Sequence, residues 1–462
     1  MSEHGVHTHR AFTVSPITRP GSSGAVFSLS EVFLSHRIQR LAAVAVSGVA
    51  ALGLVTLAPG SAQASSGGSW DYSVSPIQVK SDIAPSTGAD ALPTPAQCLA
   101  SYGLSCNTVD SIRSAYDIPA TIGGAPAGTG RTVVIVDAFG SPTAQADLDT
   151  FSASMGIPST DLNVYYPEGK VAWHGTELQN DWAGETSLDV QWAHAVAPGA
   201  TIDLVVANSP SGNVLNNAVD WAVDNLGADT LSMSYGAAEG YLNGKNGNNT
   251  QIAQAQKIFA KAAAKGITIF ASSGDSGSDN GFGTENFAYP AADPNVVAVG
   301  GTNLLSNTGV AGPAETVWDD DTGCPFDCTQ GTFGATGGAP SLSTDKQGSD
   351  VAYNASVYTS VLVYEGFNAD PDDNGFYFTG GTSSGSPQWA AIAADLDQAA
   401  GHDLGGIRGS LAGWLSAGAL RDVTVGDNAT TTFAGGYAAG AGWDVPTGYG
   451  TPDVGRLIDQ VS

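Results

Sequence analysis

Between residues 132 and 300, short apolar runs alternate with amphipathic segments, and this rhythm restricts the fold more than any other feature of the chain. Thr132-Val133-Val134-Ile135-Val136 has no polar alternation and stops at Asp137. Such a run suits a strand covered on both faces, as in the middle of a parallel sheet. Further strands are expected at 201–207, 229–235, 267–271 and 295–300, with helices at 109–116, 182–194, 214–225, 251–265 and from Ser383 to about residue 400. A strand–helix–strand rhythm of this kind predicts an α/β fold, a doubly wound and mostly parallel sheet with helices on both faces. Ligands in such folds sit beyond the carboxyl ends of the strands, where Asp137 falls. Residues 303–378 read as loop-rich, and 421–453 as a Gly-, Asp- and Asn-rich tail suited to turns and metal-binding loops.

Composition removes several classes of function. The 462 residues include 44 acidic and 16 basic side chains, a net charge of -28. Phosphate backbones are held by clustered Lys and Arg, so nucleic acid is not an expected partner. Anionic membrane surfaces are disfavoured for the same reason. In acid, many of these carboxylates are protonated and self-repulsion falls, which is compatible with work at low pH. The 60 glycines follow no triplet period, which excludes collagen.

Residues 1–64 read as a signal peptide with a long polar lead. Arg37 and Arg40 precede an apolar run at 41–58, and Ser61-Ala62-Gln63-Ala64 resembles a cleavage site. The alternative is a retained signal anchor. The segment holds four Arg and two Glu, so its removal leaves 12 basic against 42 acidic residues. A secreted, extracellular chain is expected, with no membrane contact after removal and acting as a monomer. Residues 65–107 read as a short N-terminal extension or linker, and 108–462 as the functional domain. The cysteines form two close pairs, Cys98 with Cys106 and Cys324 with Cys328. In an exported chain these suit local disulfides, and the spacing is a poor match to a zinc ribbon.

The candidate chemistry centres on Gly381-Thr382-Ser383-Ser384-Gly385-Ser386-Pro387. A serine on a tight turn at a helix start has free backbone N–H groups and the positive end of a dipole beside it, where a developing oxyanion is favoured. It can also be an ordinary helix cap. Its base is sought among acids. After the signal, only His174, His194 and His402 remain. Glu185 and Asp189 lie four apart and share one helical face, so their mutual repulsion raises one pKa and favours a shared proton. Trp182, Leu188 and Trp192 on the same helix argue against a fully solvated acidic face. Asp275, in the turn Ser272-Ser273-Gly274-Asp275, can donate a hydrogen bond to an oxyanion when protonated.

These motifs together resemble the sedolisins, serine-carboxyl peptidases with a subtilisin-like fold. The resemblance spans 108–462. It rests on Glu185-x-x-x-Asp189 with Ala197-Pro198-Gly199-Ala200, on Ser272-Ser273-Gly274-Asp275, on Tyr289-Pro290-Ala291 leading to Val299-Gly300-Gly301-Thr302, and on Gly381-Thr382-Ser383 with Pro387. It implies a secreted acid-acting endopeptidase for protein or peptide substrates, with Ser383 as nucleophile, Glu185 as general base and acid, Asp189 tuning Glu185, and Asp275 in the oxyanion hole. It also implies one structural Ca2+ held by the carboxylates of Asp422 and Asp444 and the carbonyls of Val423, Gly440 and Gly442. Two features depart from the family pattern: Gly380 stands where Ser is commoner, and only 65–107 lies between signal and catalytic region, without the long folded propeptide of many sedolisins. Two rivals remain. One is a subtilisin-type triad of Asp137, His174 and Ser383, since Trp173-His174-Gly175-Thr176 resembles that family's histidine motif. The other is a non-catalytic secreted binding protein on the same fold.

Overall fold

The computed structural model describes residues 70–74, 77–86, 91–242, 250–322 and 333–462. The expected signal peptide 1–64, together with Cys324 and Cys328, lies outside the described residues. The chain begins with β1 (Ile77–Lys80), α1 (Pro95–Tyr102), β2 (Ser105–Asn107) and α2 (Val109–Tyr116). The central sheet is then built from β3 (Thr132–Ala138), β4 (Asn163–Tyr165), β5 (Thr201–Ala207), β6 (Thr230–Met233), β7 (Thr268–Ser272), β8 (Val296–Leu304), β9 (Glu315–Val317) and β10 (Val351–Asn354). Its order is β9-β8-β7-β6-β3-β5-β4, with β10 also on β8. Every pairing is parallel except β8 with β9.

The apolar run at 132–136 is explained by what covers it. Val133 and Ile135 point into one core, while Val134 and Val136 point into the other. The first core is closed by α4 (Glu177–Val196) and α7 (Gly385–Ala400), the second by α5 (Gly212–Asn225) and α6 (Thr250–Ala264). Helices therefore cover both faces, as a doubly wound sheet requires.

Residues 303–378 are loop-rich, and besides β9 and β10 they hold β11 (Thr359–Glu365) and β12 (Gly375–Gly380), which form a second sheet in the order β1-β12-β11-β2. One expectation is corrected. The described part of 65–107 is not a free linker. β1 pairs with β12, β2 pairs with β11, and Ile77, Cys98, Leu104 and Cys106 are core residues. Cys98 and Cys106 are joined as a disulfide. Both stretches are broken by Gly, Pro and Asp, so their strand pattern becomes visible only once distant partners pair.

α4 is the helix that matters for the site. Its cap is Thr176, whose hydroxyl accepts the Gln179 N–H at 3.3 Å. From Trp182 onward every residue is buried. Trp192 Nε1 donates to Leu362 O at 3.0 Å, and Gln191 exchanges two hydrogen bonds with the Tyr364 backbone. The helix is thus fixed in depth and rotation by both core packing and the edge of β11. Trp192→Ala is expected to destabilise the fold by about 3–5 kcal/mol, read as a drop in denaturant midpoint at unchanged slope. A loss below about 1 kcal/mol would show that this anchor is not needed.

Candidate active site

Three parallel strands deliver the site at their carboxyl ends. Asp137 is near the end of β3, Ser234 follows β6, and Asp275 lies three residues past β7. Ser383 arrives separately: β12 ends at Gly380, a 3-10 turn spans Thr382–Ser384, and the 16-residue α7 begins at Gly385. The turn is forced into shape by Gly381. Its φ of 100° disfavours any side chain, and a Cβ there would lie 2.8 Å from Asp275 Oδ2. Ser383 is 5% exposed, and its Oγ donates to Ser234 O at 3.3 Å.

Asp275 is clamped by the same turn. Its Oδ1 accepts the Thr382 N–H and the Thr382 hydroxyl, both at 2.8 Å. Burial pushes its pKa up, and the two Thr382 bonds pull it partly back. Thr382 also ties Gly274, accepting its N–H at 3.1 Å. Thr382 is thus the residue that joins the two motifs, a role that its sequence position alone does not reveal.

Glu185 and Asp189, one turn apart on α4, are fully buried. Neither carboxyl has a hydrogen bond within ordinary limits. Burial drives both pKa values well above the usual range. For Glu185 the neighbouring Ser383 hydroxyl offsets part of this, while the charges of Asp137 and Asp275 add to it. For Asp189 the charges of Asp137 and Glu185 add to it, and Ser234 offsets part. Among the described residues no Lys or Arg acts on either group, so nothing cationic neutralises the cluster.

Asp137 is the third acid of the group. It too is fully buried without a hydrogen bond, and burial lifts its pKa to about 7, partly offset by Thr186. From the sequence, Asp137 is an acid at a strand end where ligands sit, and its one assigned role is in the rival histidine triad. A signal for its true place is nevertheless present there, since an acid ending a strand buried on both faces has no route to water.

The described histidines take no part in this cluster. His174 is exposed ahead of α4, with its backbone N–H given to Gln179. His194 is buried near the helix end, where its Nε2 hydrogen-bonds Pro158 O at 2.7 Å, and burial lowers its pKa. His402 is exposed beside Asp403. With Asp137 accepting nothing, the Asp–His pair of a subtilisin-type triad is not formed.

Two acidic sites elsewhere bear on metal binding. Asp229, Asp397 and Asp403 come together, but Arg131 lies among them, ion-paired to Asp229 at 2.9 Å and to Asp403 at 2.6 Å. That guanidinium already supplies the positive charge. At the tail, Asp422 Oδ2 accepts the Gly442 N–H at 2.8 Å and Asp444 Oδ2 accepts the Gly440 N–H at 3.0 Å. Burial raises the Asp444 pKa, and the nearby Asp422 charge adds to it. Among the described residues neither carboxylate pairs with Lys or Arg. Two adjacent carboxylates and Gly-rich carbonyls with no cation fit a hard divalent ion.

Residues 98–450 match the model of the Subtilase family, peptidase S8. The chain is 30% identical to sedolisin of Pseudomonas sp. (strain 101) over 355 residues, covering 72% of this chain and 58% of that protein. It is 31% identical to kumamolisin of Bacillus sp. (strain MN-32) over 366 residues, covering 76% of this chain and 62% of that protein. The chain thus spans about three fifths of the length of these curated relatives. Among solved structures, Pseudomonas sedolisin complexed with pseudo-iodotyrostatin aligns with a TM-score of 0.65 at 27% identity, over 78% of this chain and 98% of that one. A lanthipeptide protease at 16% identity and TM-score 0.50 shares the fold alone. The family match, the relatives and the fold agree: the chain belongs to the Subtilase family, in its sedolisin branch.

Proposed function

We propose that this chain is a secreted serine-carboxyl peptidase that hydrolyses peptide bonds of proteins or peptides in acid. The observation that carries the reading is the buried group Glu185, Asp189 and Asp137 beside Ser383, with no histidine in reach among the described residues. A neutral-pH serine enzyme needs a base that is free to accept a proton near pH 7, commonly histidine. Here the base is a carboxylate whose neighbours are also acids. Three such groups cannot all ionise in one dry pocket, so they retain protons and exchange them.

The residues divide the work as follows. Ser383 Oγ attacks the substrate carbonyl carbon, and its proton passes to the Glu185 carboxylate. Asp275, protonated, and the backbone at the start of α7 stabilise the oxyanion. Glu185 then gives its proton to the leaving amine, which departs as the acyl-enzyme forms on Ser383. Water enters, Glu185 takes its proton, and the acid product and free serine are restored. Asp189 and Asp137 set the proton affinity of Glu185 through their own protonation. The subtilisin-type triad and the non-catalytic alternative are both less favoured, the first by the exposed His174 and the second by the presence of all four candidate catalytic groups.

Asp422 and Asp444, with the carbonyls of Val423, Gly440 and Gly442, are the residues that would hold Ca2+. Bound there, the ion neutralises two adjacent carboxylates and cross-links the tail to the body. No membrane attachment is part of the reading, and no helix among the described residues is long and apolar enough to cross a bilayer.

A pH–activity profile on denatured protein substrate should peak on the acid side of neutrality, because Asp275 must keep its proton to serve the oxyanion while Glu185, a base only once ionised, shares a limited number of protons with Asp189 and Asp137. Ser383→Ala and Glu185→Gln should each lower kcat/KM by ~10³-fold or more, and Asp275→Ala should cost about 10²–10³ in kcat. A neutral optimum retained in Glu185→Gln would point instead to His174. Stability should follow the same groups. In the unfolded chain Asp and Glu titrate near ~3.9 and ~4.3, below their raised values in the fold. The fold then holds more protons in between, so stability falls as pH rises through that window, which for Asp137 runs from ~3.9 to about 7. Asp137→Asn should flatten the fall of Tm between about pH 4 and 7, and an unaltered slope would remove Asp137 from the cluster's titration. Finally, Ca2+ at a hundredfold excess over Kd should stabilise by about 2.7 kcal/mol. Chelation should lower Tm in the parent and leave Asp444→Ala unmoved.

A further inference from the structure

The central strand β6 is covered on both faces, yet serine takes the positions that face one of the two cores. Side chains alternate along a strand, and Leu231 and Met233 belong to the core under α5 and α6. Ser232 therefore faces the core under α4 and α7. It pairs with Ile135 of β3 and Phe270 of β7, which both lie in that core. Ser234, just past the strand end, continues the same face. Both serines are buried. A buried hydroxyl needs a hydrogen-bond partner. Ser232 has one on α7, its Oγ lying 2.9 Å from Ser386 Oγ. Small residues at these positions also let α7 approach the sheet closely. That packing role accounts for Ser232, but Ser234 has further contacts.

Ser234 meets the nucleophile twice. Its carbonyl accepts the Ser383 hydroxyl at 3.3 Å, and its own hydroxyl donates to Ser383 O at 3.4 Å. The same hydroxyl faces Asp189, whose two carboxyl oxygens are buried without an ordinary hydrogen bond. Each of the three acids is in fact faced by one hydroxyl: Ser383 by Glu185, Ser234 by Asp189, and Thr186 by Asp137. A serine hydroxyl has one proton to give and two lone pairs to accept. With Asp189 ionised, the Ser234 proton turns to that carboxylate. With Asp189 protonated, the acid donates to Ser234 Oγ and the serine proton returns to Ser383 O. The side chain thus lies between the protonation state of Asp189 and the main chain of the nucleophile.

We infer that Ser234 is a positioning residue for the reaction, its hydroxyl exchanging one hydrogen bond between the Asp189 carboxyl and Ser383 O and so setting how readily the Glu185–Asp189 pair releases the proton that must leave before Glu185 can act as a base. The inference rests on the serine-carboxyl reading above. Glu185 can accept the Ser383 proton only while the pair holds one proton rather than two. A neutral donor aimed at Asp189 favours its ionised form and hence the one-proton state. Asp137 on β3 and Asp275 past β7 are the other charges that face the pair, and both work with burial to retain protons. Ser234 opposes them. Without its hydroxyl the pair keeps the second proton to higher pH, so the acid limb of the activity profile moves upward.

The test compares Ser234→Ala with Ser232→Ala in the full chain. Each removes one buried hydroxyl from the same face, and circular dichroism at each pH establishes that the variant is folded. The kcat/KM for a fluorogenic peptide is followed from the optimum down through the acid limb. Ser234→Ala should move the midpoint of that limb up by about 0.5 pH unit or more, which is roughly a threefold loss of rate well below the midpoint. Ser232→Ala should leave the midpoint in place. Ser234→Cys keeps the volume with a weaker donor, should move the limb the same way by less, and gives the same readout if the alanine variant does not fold. A limb that coincides with the parent's, or moves equally in Ser232→Ala, would assign Ser234 to packing and overturn the inference. A second readout needs no catalysis. In the Ser383→Ala background, carbon-13 NMR of labelled Asp and Glu carboxyls follows the titration of the pair, with Asp189→Asn identifying its signals. Removing the Ser234 hydroxyl should raise the midpoints of the pair, and unchanged midpoints overturn the inference. Raised midpoints with no activity in any variant at any pH uphold the link from Ser234 to Asp189 and remove the peptidase reading instead.

Discussion

Three carboxyl groups buried without a cation are the constraint around which this fold is arranged. Removing a carboxylate from water costs far more than a fold can spare, so each such group must find a partner or keep its proton. Burial raises the proton affinity of Asp137, Glu185 and Asp189. The cost is borne by the helix and strand that carry them. α4 is covered by the sheet, by α7 and by β11, and β3 is covered on both faces. Buried tryptophans on α4 and the bonds from Gln191 and Trp192 to β11 hold the acids where water would otherwise reach them. Elsewhere buried acids meet either a cation, as where Arg131 sits among Asp229, Asp397 and Asp403 and Lys346 pairs with Asp350, or neutral donors alone, as at Glu365 and Asp320.

The second consequence of the arrangement is an open edge. The carboxyl ends of β3, β6 and β7 converge, and backbone past β6 at Ser234–Gly236 presents N–H and C=O groups to anything extended. The chain's own N-terminal residues take that edge at Ser73. Ile77–Lys80 pairs with β12 in the second sheet, beside the turn that bears Ser383. The same turn clamps Asp275 through Thr382.

Much of this is legible in the amino-acid sequence. Local pattern places the helix 109–116 and the strand 201–207 at their observed bounds and β3, β6, β7 and β8 within a few residues, but it does not reveal β4, β9 or β10. Glu185 and Asp189 are recognisable because helical spacing puts them on one face, and Ser383 and Asp275 because each sits in a Gly-flanked turn at an element end. What the sequence conceals depends on distant pairing. β11 and β12 are separated by a loop rich in Gly, Pro and Asp, and 65–107 reads as extension or linker because its partners are hundreds of residues away.

The sequence by itself determined the doubly covered sheet, the acidic character of the chain and the identity of the candidate nucleophile and acids, since periodicity, charge and turn chemistry are local properties. Only the tertiary structure decided which groups share a pocket. It joined Asp137 to Glu185 and Asp189, left His174 outside, linked Asp275 to Ser383 through Thr382, and laid Trp70–Val74 along Gly236. The reason is physical: proton affinity and strand pairing depend on burial and on neighbours in space, and neither is fixed until segments far apart in the chain have packed together.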